Sequence, residues 1–284
     1  MRYFPVEEGD FRFSMGLKPV KERSWLDIDD HYASDIKLKT GLVSDYRDAV
    51  FATTERAKEG SEEILDLVQQ ELNSAYPDLS APDIEAGDPL LNASLLVQED
   101  LVLMQEGENG EYDLTAASVC FPTGWNLTEK VGKPMRVIHD PVPDLNPAIG
   151  HSIDKFFQNM KPGKVVERFN WGLYDNDALF QPNWWREQQP KKDEITIETI
   201  GSAFYFRVER QTLQRLTTEK SALFTIRIFN TTLEDLVGTE TYRATLLHSL
   251  TTMPDAMRRY KTVARYEDLI FQYLNNPLNS SEPV

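Results

Sequence analysis

The segment Phe204–Phe229, FYFRVERQTLQRLTTEKSALFTIRIF, decides the fold that the sequence predicts. In its first half Phe204, Phe206 and Val208 alternate with polar residues, and the same period of two returns after a polar turn at Thr217–Lys220. Because successive side chains of a strand point to opposite faces, this pattern predicts two neighbouring antiparallel strands. We expect one apolar face and one mixed face that carries two arginines and a glutamate.

The mixed face holds the first group of candidate site residues. Alternation places Tyr205, Arg207, Glu209 and Gln211 on one face, and we expect Arg227 of the neighbouring strand to join them. Such a row over a cavity can bind the carboxylates of a cofactor, and a glutamate can hold a cationic amine. A solvated sheet face crossed by ion pairs would show the same pattern, so both interpretations stay open.

The flanking sequence predicts further strands and helices around this pair. Asp100–Gln105 and Tyr112–Cys120 bracket an Asn-Gly turn, which is a strong hairpin signal, and Lys164–Leu173 indicates another strand. The predicted helices are Ser44–Lys58, Ser61–Tyr76, one that opens at Asp88-Pro89, Pro147–Met160, Glu240–Leu250, Met253–Tyr260 and Lys261–Leu274. The pattern is typical of the α+β class, with an antiparallel sheet core and flanking helices.

No internal repeat or low-complexity linker divides the chain. We therefore expect a single domain over residues 1–284. Within it we expect an N-terminal helical extension over residues 1–88, a core with C-terminal helices over residues 89–274, and a frayed tail over residues 275–284.

Composition excludes several classes of function. Thirty Lys and Arg against 46 Asp and Glu give a net charge of −16, which repels phosphate backbones, so we expect no nucleic-acid binding. The apolar runs are far shorter than the ~20 residues of a membrane-spanning helix, and no apolar signal core follows Met1. The single cysteine, Cys120, excludes an internal disulfide and a cysteine-based metal cluster. We expect a cytoplasmic protein without membrane contact.

The proline-rich segment Cys120–Asn146 carries the second candidate, His139. Its four prolines and two glycines interrupt regular structure, while its aromatic and apolar residues argue against disorder, so it predicts an ordered loop. A neutral imidazole held in such a loop can ligate a metal or a heme iron. The alternative is a histidine that braces the loop through hydrogen bonds to backbone carbonyl groups.

The strand at Lys164–Leu173 carries a third group. Arg168 and Asn170 share one face, and Trp171 points the other way. These residues form either the wall of a binding site or a core tryptophan with polar neighbours. The pair Trp184-Trp185 covers either a planar ligand or other apolar side chains.

Five motifs together resemble the heme-dependent oxidative N-demethylase family, whose fungal members are labelled HRQ proteins. They are FPTGW at Phe121–Trp125, IHDPVP at Ile138–Pro143, RFNW at Arg168–Trp171, RVERQTL at Arg207–Leu213 and FTIR at Phe224–Arg227. These motifs span about residues 90–270. The resemblance implies a PAS-like core that binds heme b, and O2-dependent removal of a methyl group from a small secondary amine such as dimethylamine, with release of formaldehyde. It also implies a separate flavin/NADPH reductase as the source of electrons.

The resemblance further implies a role for individual residues. His139 would be the axial iron ligand, and Glu209 would hold the substrate ammonium or relay protons. The other implied contacts are Arg207, Arg210, Arg227 and Trp125 with the heme, and Tyr205 and Trp171 with the substrate. A non-catalytic heme protein that senses a gas or another ligand, and a heme-free protein on the same fold, are the alternatives.

Overall fold

The structure, a computed structural model, describes residues 1–21, 23–83, 87–144, 151–183, 195–262 and 264–276. Its central element is a sheet of seven strands, all paired antiparallel. The strands are β1 (Lys18–Pro19), β2 (Phe51–Thr53), β3 (Asp100–Glu106), β4 (Tyr112–Ser118), β5 (Val165–Tyr174), β6 (Tyr205–Arg215) and β7 (Ser221–Thr232). Their order across the sheet is β1-β5-β6-β7-β3-β4-β2.

The predicted central strand pair is confirmed. β6 and β7 pair over their whole length, from Tyr205 opposite Thr232 to Arg215 opposite Ala222. The predicted hairpin is also confirmed as β3 and β4, with Gly110 at a φ of 76° in its turn. The order β4-β3-β7-β6-β5 agrees with the PAS-like core that the resemblance implies. The α+β class is therefore confirmed.

Helices lie between and after the strands. They are α1 (Tyr32–Val50), α2 (Lys58–Ala75), α3 (Pro89–Ser94), α4 (Met135–His139), α5 (His151–Asn159), α6 (Ile200–Ala203), α7 (Leu233–Val237), α8 (Glu240–Thr252), α9 (Asp255–Lys261) and α10 (Glu267–Asn275). The start of α3 is as predicted, because the Asp88 carboxylate accepts hydrogen bonds from the backbone N–H groups of Leu90 and Leu91.

The predicted helix Ser44–Lys58 is wrong in its position. α1 begins at Tyr32 and ends at Val50, and the next three residues leave the helix to pair with β4. Gly60, a glycine two residues after the end of the predicted helix, lies in the first turn of α2. A Cβ atom at Gly60 would lie 2.8 Å from a methyl group of Leu103, so the glycine permits close packing of α2 on the sheet. Tertiary pairing and packing override the local helix signal here.

The prediction of one apolar and one mixed face is wrong, because the β6–β7 register places Ile228 opposite Glu209 and two arginines on the face of Val208, so both faces are mixed. Both faces of the sheet are covered. On one face α2 and α3 pack against the sheet through Ile64, Val68, Leu90, Leu103 and Leu223. On the other face Val102, Met104 and Leu213 pack with Phe157 of α5. In the β6–β7 register Arg227 lies directly opposite Arg210, and it therefore shares the face of Arg210 and not that of Arg207 and Glu209.

Candidate functional site

A cavity of about 400 Å³ lies on the face of the sheet that carries Glu209 and Gln211. Its apolar lining comes from the sheet, α4 and α5, and includes Met104, Leu114, Leu213, Phe224, Ile138 and Phe157. Its polar lining includes His139, Arg168, Asn170, Glu209, Gln211 and Lys261. This combination of apolar walls with a few convergent polar groups is typical of a small-molecule or cofactor site.

Strand pairing brings four of these polar residues together. In the β5–β6 register Arg168 lies opposite Gln211, and Asn170 lies opposite Glu209. β1 pairs with β5 only at Val166 and Glu167, so no strand of the described chain covers the outer edge of β5 beyond that point. The cavity reaches this edge, where the N-terminal residues 10–17 line it. The predicted face shared by Arg168 and Asn170 is therefore a wall of the cavity.

Two amide groups hold one oxygen of the Glu209 carboxylate. Oε2 accepts hydrogen bonds from Gln211 Nε2 at 2.8 Å and from Asn170 Nδ2 at 3.2 Å. No described residue donates a hydrogen bond to Oε1, and Glu209 lines the cavity. The carboxylate is thus fixed in orientation, with one oxygen left to accept a hydrogen bond from a ligand.

Lys261, the last residue of α9, fixes the orientation of Asn170. Its Nζ donates to Asn170 Oδ1 at 2.9 Å and to the backbone oxygen of Trp171 at 2.7 Å. Because Asn170 Oδ1 accepts from lysine, its Nδ2 must point to Glu209. Burial lowers the pKa of Lys261 to about 7; Arg168 adds to this effect, and Glu209 opposes it. Sequence reasoning missed Lys261, because nothing local distinguishes it from a surface lysine at a helix end.

His139 lies at the C-terminus of α4, so the predicted loop contains a short helix. Burial, together with the positive charges of Arg168 and Lys130, lowers the pKa of His139 to about 4. The imidazole is therefore neutral at pH 7. Its buried Nδ1 has no hydrogen-bond partner in the part of the chain that the structure describes. Within these residues the ring does not brace the loop, which removes support from that alternative.

Arg168, a partly buried residue, has a second buried polar atom without a partner among the described residues. Burial lowers the pKa of its guanidinium, against the opposing charge of Glu209. Its Nε has no hydrogen-bond partner, and Arg168 forms no ion pair with the residues that the structure describes. A buried cation without a partner is costly, so its place in the cavity wall indicates an anionic ligand group. The sequence showed Arg168 on the correct face but gave no sign of its burial.

The guanidinium of Arg207, unlike that of Arg168, has several hydrogen-bond partners among the described residues. It is buried and donates to Thr123 Oγ1 at 3.0 Å, and to three backbone oxygens of residues 121, 178 and 179 at 2.9–3.2 Å. Arg207 thus joins the loop that contains Thr123 to the loop that contains residues 178–181. An isolated β-bridge between Thr123 and Gln181 also connects these two loops. Arg207 thus holds in place the loop that brings Trp125 to the cavity.

Arg210 and Arg227 lie on the opposite face of the sheet from Glu209. Arg210 donates to Glu167 at 2.8 Å and to the backbone oxygen of Trp25 at 3.0 Å. Arg227 pairs with Asp29 at 2.8 Å. Like Arg207, neither is among the residues that line the cavity. Their contact with heme carboxylates stays a prediction, and the geometry favours Arg168 for that role.

The remaining predicted residues divide between the cavity and other surroundings. Trp125 and Trp171 line the cavity, whereas Tyr205 at the start of β6 is not among its lining residues. Trp184-Trp185 lies outside the described residues. Cys120 is buried, and burial raises the pKa of its thiol to about 12, as expected of a small core residue.

The described residues contain no group of three or more histidine, cysteine or acidic side chains arranged to hold a metal ion. The role of His139 as an axial iron ligand stays a prediction. No helix in the described ranges has both the length and the apolar character needed to cross a membrane.

The fold and the cavity define an α+β protein with a ligand site enclosed between an antiparallel sheet and its flanking helices. The chain belongs to the family described as "Haem-dependent oxidative N-demethylase, alpha subunit-like", whose model matches residues 16–81 and 78–271. The family description supports a heme-dependent oxidative enzyme in general. The five motifs that carry the resemblance lie within about residues 90–270. The family model also matches residues 16–81, so helices α1 and α2 belong to the region that the family model covers.

Proposed function

We propose that this protein removes a methyl group oxidatively from a small secondary amine of the dimethylamine type, with heme b as its cofactor. The observation that supports this most directly is the Glu209 carboxylate. One of its oxygens is fixed by two amide donors, and the other is open to an apolar cavity that also contains a neutral histidine. The family match agrees with this reading.

His139 is the residue that would hold the heme iron. An iron ligand must be an unprotonated nitrogen, and burial keeps this imidazole neutral at pH 7. The apolar lining residues suit the faces of a macrocycle, and Arg168 suits a heme carboxylate because it is a buried cation without a described partner. When bound, heme supplies the activation of O2 and the oxidation of the N-methyl carbon, with electrons from a separate flavin/NADPH reductase.

Glu209 is the residue that would bind the amine. A secondary ammonium carries two N–H donors, and one of them can form a charge-assisted hydrogen bond with Oε1. Apolar walls exclude water and strengthen this attraction. The rings of Trp125 and Trp171 in the cavity wall offer weaker attraction to the same cation. The carboxylate can also take a proton from the ammonium at Oε1, which leaves a neutral amine.

The first test is the visible absorption spectrum of the protein expressed with a heme precursor. We expect a Soret band that is lost in His139→Ala and kept in His31→Ala, which alters an exposed histidine. Absence of a Soret band in the parent protein, even after addition of hemin, would overturn the proposal.

The second test is titration of the heme-loaded protein with dimethylamine. We expect a Soret shift that requires much higher amine concentrations in Glu209→Gln, but not in Glu198→Gln, an exposed control. Amine-dependent O2 consumption with a reductase and release of formaldehyde would then establish turnover. A Soret band that does not shift when amines are added would favour a sensing role or another substrate.

A further inference from the structure

We propose that Lys261 is a site for reversible covalent capture of a small aldehyde inside the cavity. The inference extends the proposed function, because formaldehyde is the product that N-demethylation would release next to this amine. The capture chemistry itself requires only the protein and an aldehyde. It can therefore be tested without heme, amine or reductase.

The hydrogen bonds of Lys261 match those of a neutral amine. Nζ has two acceptors, Asn170 Oδ1 and the Trp171 backbone oxygen, and both are uncharged carbonyl oxygens. No carboxylate among the described residues forms an ion pair with it. A neutral amine has two N–H groups and one lone pair, so these two bonds use both donors and leave the lone pair for an electrophile.

Burial of Lys261, rather than the balance of the charged groups that face it, favours this neutral state. Burial and the guanidinium of Arg168 disfavour a proton on Nζ, while the Glu209 carboxylate favours it, and the pKa of Lys261 is lowered to about 7. The ring of Trp171, whose centre lies 4.8 Å from Nζ, attracts the protonated form and acts in the same direction as Glu209. About half of Lys261 is therefore neutral at pH 7, against on the order of one in a thousand for a surface lysine.

The backbone of Lys261 is also held closely against the sheet. A Cβ atom at Gly172 would lie 3.1 Å from the Lys261 carbonyl oxygen, so the glycine permits the approach of α9 to β5. The amine is thus fixed in the cavity wall and does not sample solvent as a surface lysine does. A held, unprotonated amine is the arrangement that carbonyl-trapping lysines require.

The reaction balances without an oxidant or a reductant. The Nζ lone pair forms a bond to the carbonyl carbon of the aldehyde, the C=O π bond breaks, and a proton moves from nitrogen to oxygen to give a carbinolamine. A proton from hydronium in the solvent adds to its hydroxyl group, the C–O bond breaks, and water leaves, so that an iminium ion remains on Nζ. Addition of water reverses both steps and releases the aldehyde.

The experiment uses the full-length protein, formaldehyde below the lysine concentration, and cyanoborohydride at pH 7. Cyanoborohydride gives hydride to the iminium ion, which leaves a stable N-methyl group that peptide mapping can locate. We expect Lys261 to be methylated about 500-fold faster than surface lysines, because the ratio of the two neutral fractions sets the ratio of the rates. The preference should disappear in urea, where the burial of Lys261 is lost.

Two matched variants complete the test. Lys261→Arg keeps a cationic donor but cannot form the iminium ion, so the fast methylation should disappear. Lys130→Arg alters the other lysine of the cavity wall and should leave the fast methylation of Lys261 unchanged. Fast methylation of Lys130, or equal labelling of all lysines in the native parent protein, would overturn the proposal. Either result leaves the demethylation proposal intact, since no heme or amine takes part.

Discussion

Asn170 lies directly opposite Glu209 in the β5–β6 register, and its Nδ2 donates to Glu209 Oε2 over 3.2 Å. The other end of the same amide accepts a hydrogen bond from Lys261. One neutral side chain therefore separates and orients a carboxylate and an amine that would otherwise attract each other directly. This arrangement leaves both the carboxylate and the amine available to ligands in one cavity.

Replacement of Asn170 should weaken amine binding without loss of heme. Asn170→Ala removes one of the two donors that fix Glu209, and we expect the dissociation constant for dimethylamine to rise about 3- to 10-fold, equivalent to about 1 kcal/mol. The Soret titration measures this constant. Gln211→Ala should have a similar effect, and Asn159→Ala, on the exposed end of α5, should have none. An unchanged constant in both cavity variants would contradict the role of the two amides.

His139 should make the heme-free protein less stable in mild acid. Its pKa is about 4 in the folded state and about 6.5 when unfolded, so the unfolded state binds the proton first as the pH falls. The free energy of unfolding should decrease through this group between pH 6.5 and pH 4, by about 2 kcal/mol at pH 5. Urea unfolding at pH 7 and pH 5 measures the decrease.

The matched variants for this measurement are His139→Gln and His31→Gln. The first should reduce the loss of stability between pH 7 and pH 5, and the second should not, because His31 is exposed. An equal loss of stability in the parent protein and in His139→Gln would show that other groups cause the acid sensitivity.

Arg207 and Arg168 should respond in opposite ways to replacement by methionine. Arg207→Met leaves buried backbone oxygens in two loops without donors, and we expect it to lower the free energy of unfolding by at least about 3 kcal/mol. Arg168→Met removes a buried cation without a described partner, so the stability of the heme-free protein should stay the same or rise.

Heme titration of the same two variants distinguishes Arg168 from Arg207 as a partner of the heme carboxylates. We expect Arg168→Met to weaken heme binding about 10-fold, the size of one charged hydrogen bond. A larger loss of heme affinity in a folded Arg207→Met protein would instead support the sequence-based assignment of Arg207.

Gly172→Ala should disturb the placement of Lys261. The added methyl group would lie 2.8 Å from the Tyr174 ring and 3.1 Å from the Lys261 backbone oxygen, so α9 must shift. We expect a loss of about 1–3 kcal/mol in the free energy of unfolding and a smaller preference for Lys261 in the formaldehyde labelling. Gly41→Ala, where an added Cβ meets no atom within 4 Å, is the control for thermal unfolding and for labelling.

The sequence predicted correctly those elements whose signal lies within a single segment of the chain. Alternation in β6 and β7, the Asn-Gly turn and the Asp88 cap are local signals, and each predicted its element correctly. Alternation also gave the shared face of Glu209 and Gln211, and of Arg168 and Asn170. The proline-rich segment pointed to His139, to which the resemblance gave the role of iron ligand, and the structure places this residue in the same cavity as Glu209.

Tertiary structure decided what depends on the register between segments and on burial. Alternation within β7 does not tell which face of β6 its residues share, so the face of Arg227 was wrong until the strand pairing was known. The pairing of β2 with β4 likewise ended α1 where the local sequence continued a helix. Lys261 joined the site only because α9 packs on β5 at Gly172. Periodicity along one element determines which of its residues point together, whereas the partners they meet depend on contacts between residues far apart in the chain.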